Sequence, residues 1–301
     1  MAEPERNFLF DSTRWEQFPF REGDIVIATP AKCGTTWTQR IVSLLVFDSP
    51  ELYAPMAKIS PWLDMNTRTL DGVLADLENQ THRRFMKSHL DYEHLPHGDG
   101  VTYITVGRDP RDAALSWVHH MDNIDMHVLV TERIQAVGAD DLDPTDPPPD
   151  FSGTEADRFW RWIELESGIQ GLDGMVHHLK TFWDHRDDPN VVLLHYADLQ
   201  RDLVGQMAYL ADRLGLERSR ERLEELAPHA TFDAMKAAAD VTAPNTDLSL
   251  FKSNSEFFRS GATGQWRDII SETDLPRYDK RIGELADSDF SDWLHHGSAT
   301  P

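Results

Sequence analysis

Short apolar runs alternate with longer amphipathic stretches along this chain. Asp24–Ala28 (DIVIA), Arg84–Lys87 (RFMK), Val101–Val106 (VTYITV) and Asn190–His195 (NVVLLH) lack the regular polar alternation of a half-solvated strand. They read as buried strands, and a turn and a helical pattern follow each one. Helices are predicted over Thr35–Phe47, Pro110–Met121, Arg158–Asp184, Asp198–Leu214 and Arg218–Ala227, with proline or glycine near several boundaries. That order implies an α/β fold, a parallel sheet with helices on both faces. No internal repeat interrupts it, and residues 1–301 read as a single domain. Two stretches carry no period. Gly138–Gly153 (GADDLDPTDPPPDFSG) is acidic and proline-rich, either a disordered insert or a lid over a site. Ala243–Trp266 reads as a long irregular loop with a basic centre, and residues 296–301 as a flexible tail.

Composition narrows the function. With 301 residues, 40% of them hydrophobic, the chain can bury a full core. Twenty-nine Lys and Arg stand against 52 Asp and Glu, a net charge of −23, so the bulk surface repels nucleic acid and anionic membrane. The single cysteine, Cys33, excludes an intramolecular disulfide framework and a zinc site built mainly of thiolates. The early acids of MAEPERNFLFDSTRW argue against a signal peptide, and no window offers about 18 uncharged apolar residues. A cytoplasmic protein without integral membrane association is expected.

The chemistry concentrates where the first predicted strand meets the first helix, in IVIATPAKCGTTWTQR (Ile25–Arg40). In an open parallel sheet this is where helix-start N–H groups bind anions. Lys32 adds a positive charge, Gly34 permits close backbone approach, and Thr35 and Thr36 add hydroxyl donors. Taken alone, the turn could equally be an ordinary βα connection with a capping threonine. A Walker A loop is disfavoured because Lys32 precedes Gly34 and no upstream glycine has the right spacing. A cysteine phosphatase needs an arginine closing the same loop, and the first one after Cys33 is Arg40, inside the predicted helix.

TPAKCGTTW resembles the 5′-phosphosulfate loop of the cytosolic-type sulfotransferases, usually written TYPKSGTTW. Three further segments agree in order and spacing. RFMKSHLDYEHLP (Arg84–Pro96) resembles the family's KTHLP segment, YITVGRDPRDAALSWVHHM (Tyr103–Met121) its 3′-phosphate-binding strand and helix, and FFRSGATGQW (Phe257–Trp266) its RKGxxGxW loop. Weaker echoes occur at VVLLHYADL (Val191–Leu199) and HATFDAMK (His229–Lys236). The resemblance covers nearly everything from Gly23 to Trp266 and extends to actinobacterial members, some of which sulfate glycolipids.

The resemblance implies sulfuryl transfer from 3′-phosphoadenosine 5′-phosphosulfate (PAPS) to a hydroxyl or amine, leaving adenosine 3′,5′-bisphosphate (PAP), with no metal required. It places Lys32, Cys33, Gly34, Thr35 and Thr36 at the 5′-phosphosulfate and Trp37 on the adenine. Arg108, Ser116, Arg259, Ser260 and Gly261 fall at the 3′-phosphate, and Tyr196 and Phe232 complete the nucleoside pocket. His89 would be the general base, Lys32 and Lys87 would meet the leaving and transferring groups, and Ser116 would restrain Lys32. Independently, Arg108 directly follows a buried strand, and two helical turns bring Ser116 to the same anion. Lys32, Lys87, Arg108, Arg111, Arg259 and Arg267 gather cations at the matched motifs of an acidic chain.

The chain also departs from the family pattern. Cys33 replaces the usual serine, and beside Lys32 at a helix start its thiolate is expected to be favoured. Ala230 stands where the family often has a threonine contacting adenine, and Ser260 replaces the lysine of RKG. The family's C-terminal dimer motif is not recognisable in RDIISETDLPRY, so no oligomeric state follows. Trp62, Met65, Trp117 and Phe258 suggest a largely hydrophobic acceptor pocket, suited to a small molecule or a glycolipid. A PAP- or PAPS-binding protein without turnover is the alternative, and a P-loop kinase, which needs magnesium and ATP, is a third reading.

Overall fold

A computed structural model of the chain describes residues 3–140, 150, 152–166 and 170–298. Four short strands form its sheet: β1 (Ile25–Ala28), β2 (Phe85–Ser88), β3 (Thr102–Gly107) and β4 (Val191–His195). All pairings are parallel and the order is β2-β1-β3-β4. The chain leaves β1 to build β2 on one side, then returns to build β3 on the other. The connections therefore diverge beside β1, and a crevice opens at its carboxyl end.

The period of two decides which residue meets which layer. Ile25, Ile27, Phe85, Ile104, Val106, Val192 and Leu194 face the helices Thr35–Phe47 and Leu203–Arg213 in one cluster. Val26, Ala28, Met86, Tyr103 and Val191 face the other way, against Trp15, Leu77 and Phe182. Both layers are apolar, which is why these strands read as continuous runs.

The expected helix Arg158–Asp184 is two helices, Glu155–Glu164 and Gly171–Trp183. The first opens on a capping box formed by Thr154 and Asp157. Gly171 has φ 92, and a Cβ there would stand 3.0 Å from the Trp162 carbonyl oxygen, so the chain turns at this glycine. Asp198–Leu214 also divides, into Tyr196–Arg201 and Leu203–Arg213, because Asp202 leaves helical geometry and its side chain caps Gly205 N. The remaining expected helices are present as Thr35–Phe47, Pro110–Asn123 and Arg220–Leu226. Leu70–Glu78, Met126–Val137, Leu275–Leu285 and Ser288–His296 are further helices.

Residues 141–149 and 151 of the acidic insert, and residues 299–301 of the expected tail, lie outside the described residues. The start of that tail is tied down: Ser298 N donates to Asp198 Oδ2 at 2.9 Å. The irregular Ala243–Trp266 segment is held at both ends of the helix Pro110–Asn123. Lys252 N donates to the Asn123 carbonyl oxygen (2.8 Å), and Gly264 N donates to the Asp112 carboxylate (2.8 and 2.9 Å). Among the described residues no helix is long and apolar enough to cross a membrane.

Candidate active site

From Ala28 the chain turns through residues 29–34 into the helix Thr35–Phe47. Lys32 and Gly34 both take left-handed backbone angles, φ 67 and 104. For Lys32, which carries a Cβ, this costs about 1–2 kcal/mol. Arg108 holds it there, donating from Nη1 to the Lys32 carbonyl oxygen at 2.7 Å. At Gly34 a Cβ would also stand 3.2 Å from the Tyr196 ring, so angle and space both call for glycine. Left-handed residues turn neighbouring N–H groups toward one side, and no side chain caps the helix start. The first-turn amides are therefore free to take an anion.

This loop opens on a cavity of about 2100 Å³. Every residue that the resemblance places at cofactor or acceptor lines it, with one exception, Cys33. Cys33 is fully buried, packs with Ala113 and Ala114 in a core cluster, and directs Sγ to the Ala31 carbonyl oxygen at 3.7 Å. Burial pushes its thiol up to about 12, outweighing the pull of Arg108 and Lys32. The expected reactive thiolate is corrected: desolvation prevails over the neighbouring cations, and only the backbone of Cys33 belongs to the loop.

Three cations converge on the cavity, each over an aromatic ring: Lys32 over Phe257 (4.6 Å), Lys87 over Trp62 (4.2 Å) and Arg108 over Tyr196 (4.2 Å). Burial, then Arg108 and Lys87, lowers Lys32 to about 7. Burial lowers Lys87 to about 8 against the opposing pull of Asp64. Arg108 Nε is buried and has no hydrogen-bond partner among the described residues. Clustered like charges and an orphaned guanidinium N–H are what a phosphate-type anion would relieve. Two other expected cations do not join them, since Arg111 and Arg267 are not in the cavity wall. Arg111 is paired with Asp109 and lies over Trp266 (4.0 Å), and Arg267 lies over the same indole (4.3 Å).

His89 stands at the end of β2, half-buried and edge-on to Trp62 (4.6 Å). Its Nδ1 is 2.6 Å from the Thr29 carbonyl oxygen. A carbonyl only accepts, so Nδ1 carries the proton and Nε2 is left with its lone pair. Burial, then Lys87, holds the imidazole well below its ordinary value, so it is neutral at pH 7.

The side of the cavity expected to take the nucleoside is aromatic. Trp37 and Tyr196 meet edge to face at 5.1 Å, and Phe232 and Phe258 at 6.2 Å. Gly261 has φ 65, and a Cβ on it would meet the Phe232 ring at 2.4 Å. Its carbonyl oxygen accepts from Gln200 Nε2 at 2.5 Å, while Arg259 donates to Gln265 Oε1 at 2.7 Å. Ser116 makes no hydrogen bond to Lys32 among the described residues; the ammonium lies over Phe257 instead. Trp62, Met65, Trp117 and Phe258 line the cavity as expected. Ala230 is fully buried in the core, whereas its neighbour Thr231 reaches the cavity.

Other contributors were not expected at the site. Asp112 anchors Gly264 N and so fixes the late loop. Asp64, buried and pushed up to about 6 by burial, accepts from Ser88 Oγ (2.5 Å), Trp15 Nε1 (2.7 Å) and Trp62 Nε1, bracing β2. His120 and His178 also line the cavity. Glu5, Asp91 and His94 bring ligand-type atoms within 4.8 Å of one another, but Asp91 is already engaged by His94 Nδ1 (2.8 Å) and His177 Nε2 (3.2 Å). Arg40, which a cysteine phosphatase would need in the loop, is buried on the carbonyl oxygens of His229 (3.2 Å) and Pro50 (2.7 Å).

A turn with uncapped helix-start amides at the switch point of a parallel sheet, sharing one cavity with a neutral imidazole, has the layout of a group-transfer site on an α/β fold. The sequence matches the Sulfotransferase domain over residues 22–290, and the chain belongs to that family; it is a sulfotransferase. A glycolipid sulfotransferase of Mycobacterium bovis is 40% identical over 314 residues, 97% of this chain and 94% of its own. An amine sulfotransferase of Oryctolagus cuniculus is 24% identical over 89% of this chain and 82% of its own. Retinol dehydratase, solved in complex with androsterone and inactive cofactor PAP, shares the fold with a TM-score of 0.69 at 23% identity, covering 93% of this chain and 87% of that one.

Proposed function

We propose that the chain moves a sulfuryl group from PAPS to a hydroxyl, or an amine, of a small, largely hydrophobic acceptor or a glycolipid. The observation that carries this reading is the convergence of Lys32, Lys87, Arg108 and an uncapped helix start on the cavity that His89 also faces. PAP in the solved retinol dehydratase supports the choice of donor, and the glycolipid sulfotransferase of M. bovis supports a glycolipid among the acceptors. When bound, the donor supplies an activated sulfuryl group. The loop amides with Thr35 and Thr36 hold its phosphosulfate; Arg108, Ser116, Arg259, Ser260 and Gly261 hold the 3′-phosphate; Trp37, Tyr196 and Phe232 hold the base.

His89 Nε2 takes the acceptor proton as the new oxygen–sulfur bond forms and the bond from sulfur to the 5′-phosphate oxygen breaks. Lys32 meets the charge that builds on that departing oxygen, and Lys87 meets the transferring group. The reading asks for no divalent metal, because a sulfuryl group carries less charge than a phosphoryl group and three cations already face it.

The test incubates the protein with sulfur-labelled PAPS and host-cell extract, followed by untargeted mass spectrometry. A labelled sulfate ester is expected. Binding of PAP with no transfer to any component or to a hydroxyl panel would make the chain a silent binding protein. Arg108 supplies a sharper check on the donor. Arg108→Ala should weaken PAP by about 2 kcal/mol or more beyond its effect on adenosine 5′-phosphate, because only PAP has the 3′-phosphate, while the loss common to both ligands reports the Lys32 turn that Arg108 also holds. Calorimetry that found equal losses for the two ligands would place Arg108 elsewhere.

A further inference from the structure

We propose that His120 determines acceptor specificity: it hydrogen-bonds a second hydroxyl beside the one that receives the sulfuryl group, and so selects a polyhydroxylated, carbohydrate-type head over a lone phenol or alcohol. The proposal rests on the sulfuryl-transfer reading and deepens it. His120 follows Ser116 by one turn of the helix Pro110–Asn123, so the two share a face. It lines the same cavity as His89, and the charges that bear on it are those of Lys32, Lys87 and His89. It therefore stands where the acceptor must meet the reacting atoms.

Its surroundings leave it unsatisfied. The ring is walled by Trp117 (5.8 Å), Phe251 (5.6 Å) and Phe257 (5.9 Å), and Nδ1 is buried without a partner among the described residues. A neutral imidazole offers one donor and one acceptor, and covering it with an apolar ligand would leave both unmet. His178 carries the same deficit on another wall. It is only 5% exposed, and among the described residues neither nitrogen makes a hydrogen bond of good geometry, although the backbone of Leu90 and of His178 itself bears on the ring. One base suffices for a monohydric acceptor. A chamber with two further imidazoles whose nitrogens lack a well-formed partner among the described residues is suited to more hydroxyls than the one that reacts, and a site that hydrogen-bonds a hydroxyl discriminates strongly against ligands lacking it.

The test compares hexyl β-D-glucopyranoside with hexylphenol as acceptors for the full-length protein and PAPS, with PAP affinity reporting on the fold. Wild type should prefer the glucoside. In His120→Phe the glucoside-to-phenol ratio of kcat/KM should fall by at least about tenfold, mostly through KM, at unchanged PAP affinity. His120→Gln, which keeps a donor and an acceptor, should hold that ratio within about threefold of wild type. In parallel, calorimetry on the PAP complex should show hexyl glucoside bound about tenfold more weakly by His120→Phe. A wild-type preference for the phenol, an unchanged ratio, or equal losses on both acceptors would overturn the proposal. PAP binding with transfer to nothing would overturn the sulfuryl-transfer reading instead, and the calorimetric arm would still decide the role of His120.

Discussion

His89→Ala is expected to lower kcat by about a hundredfold or more while PAP affinity stays near wild type. The argument is geometric before it is chemical. Thr29 fixes the Nδ1–H tautomer, Trp62 fixes the ring plane, and Nε2 is left as the free acceptor. Burial and Lys87 depress the imidazole, so at pH 7 the unprotonated form is present without any proton being removed first. The measurement is steady-state kinetics with a saturating donor, together with PAP calorimetry. Full activity would remove His89 from the mechanism. An equal loss of PAP affinity would instead locate the damage in the loop, transmitted through the Thr29 carbonyl.

The strands were legible because both sheet faces are buried. A run such as IVIA has no polar position to misread, and its ends are set by Asp24 and by the turn. The site was legible for a related reason: its donors lie within a few residues of strand ends, where the topology delivers them to one crevice. What failed was side-chain direction. Cys33 sits between two residues with left-handed backbone, and that geometry turns its thiol into the core while the backbone stays in the loop. Arg108 and Arg111 look alike in RDPRD, yet one lies over Tyr196 in the cavity and the other over Trp266 outside it.

The helices that escaped were those whose pattern is weak or falls away from any motif. Leu70–Glu78 has a glycine within its first turn, and Met126–Val137 is rich in β-branched residues that favour strands locally. Asp64 and Asp112 owe their positions to partners remote in sequence, Trp15 and Ser88 for one, Gly264 for the other. No local spacing announces such a contact. Ala230 and Thr231 are adjacent, yet one is buried in the core and the other lines the cavity, a difference of direction that a short 3-10 turn between two helices sets and the sequence does not announce.

Lys32→Ala should cost more in kcat than in donor affinity, about a hundredfold to a thousandfold, because its ammonium is needed most when charge reaches the departing oxygen. The same residue gives a signature that needs no turnover. Burial and the neighbouring cations lower Lys32 to about 7, and burial lowers Lys87 to about 8 against the pull of Asp64, so at pH 8 Lys32 is mostly neutral and Lys87 half so. A bound bisphosphate favours the charged form and raises both values. Binding at pH 8 must then take up protons, and affinity must fall as pH rises through 7 to 9. Calorimetry of PAP in two buffers of different ionisation enthalpy reads the uptake directly, and Lys32→Ala should remove the larger part of it. Uptake that persisted in the mutant would assign the proton to Lys87 or a histidine. Net proton release in wild type would contradict the charge arrangement from which the role of Lys32 is argued.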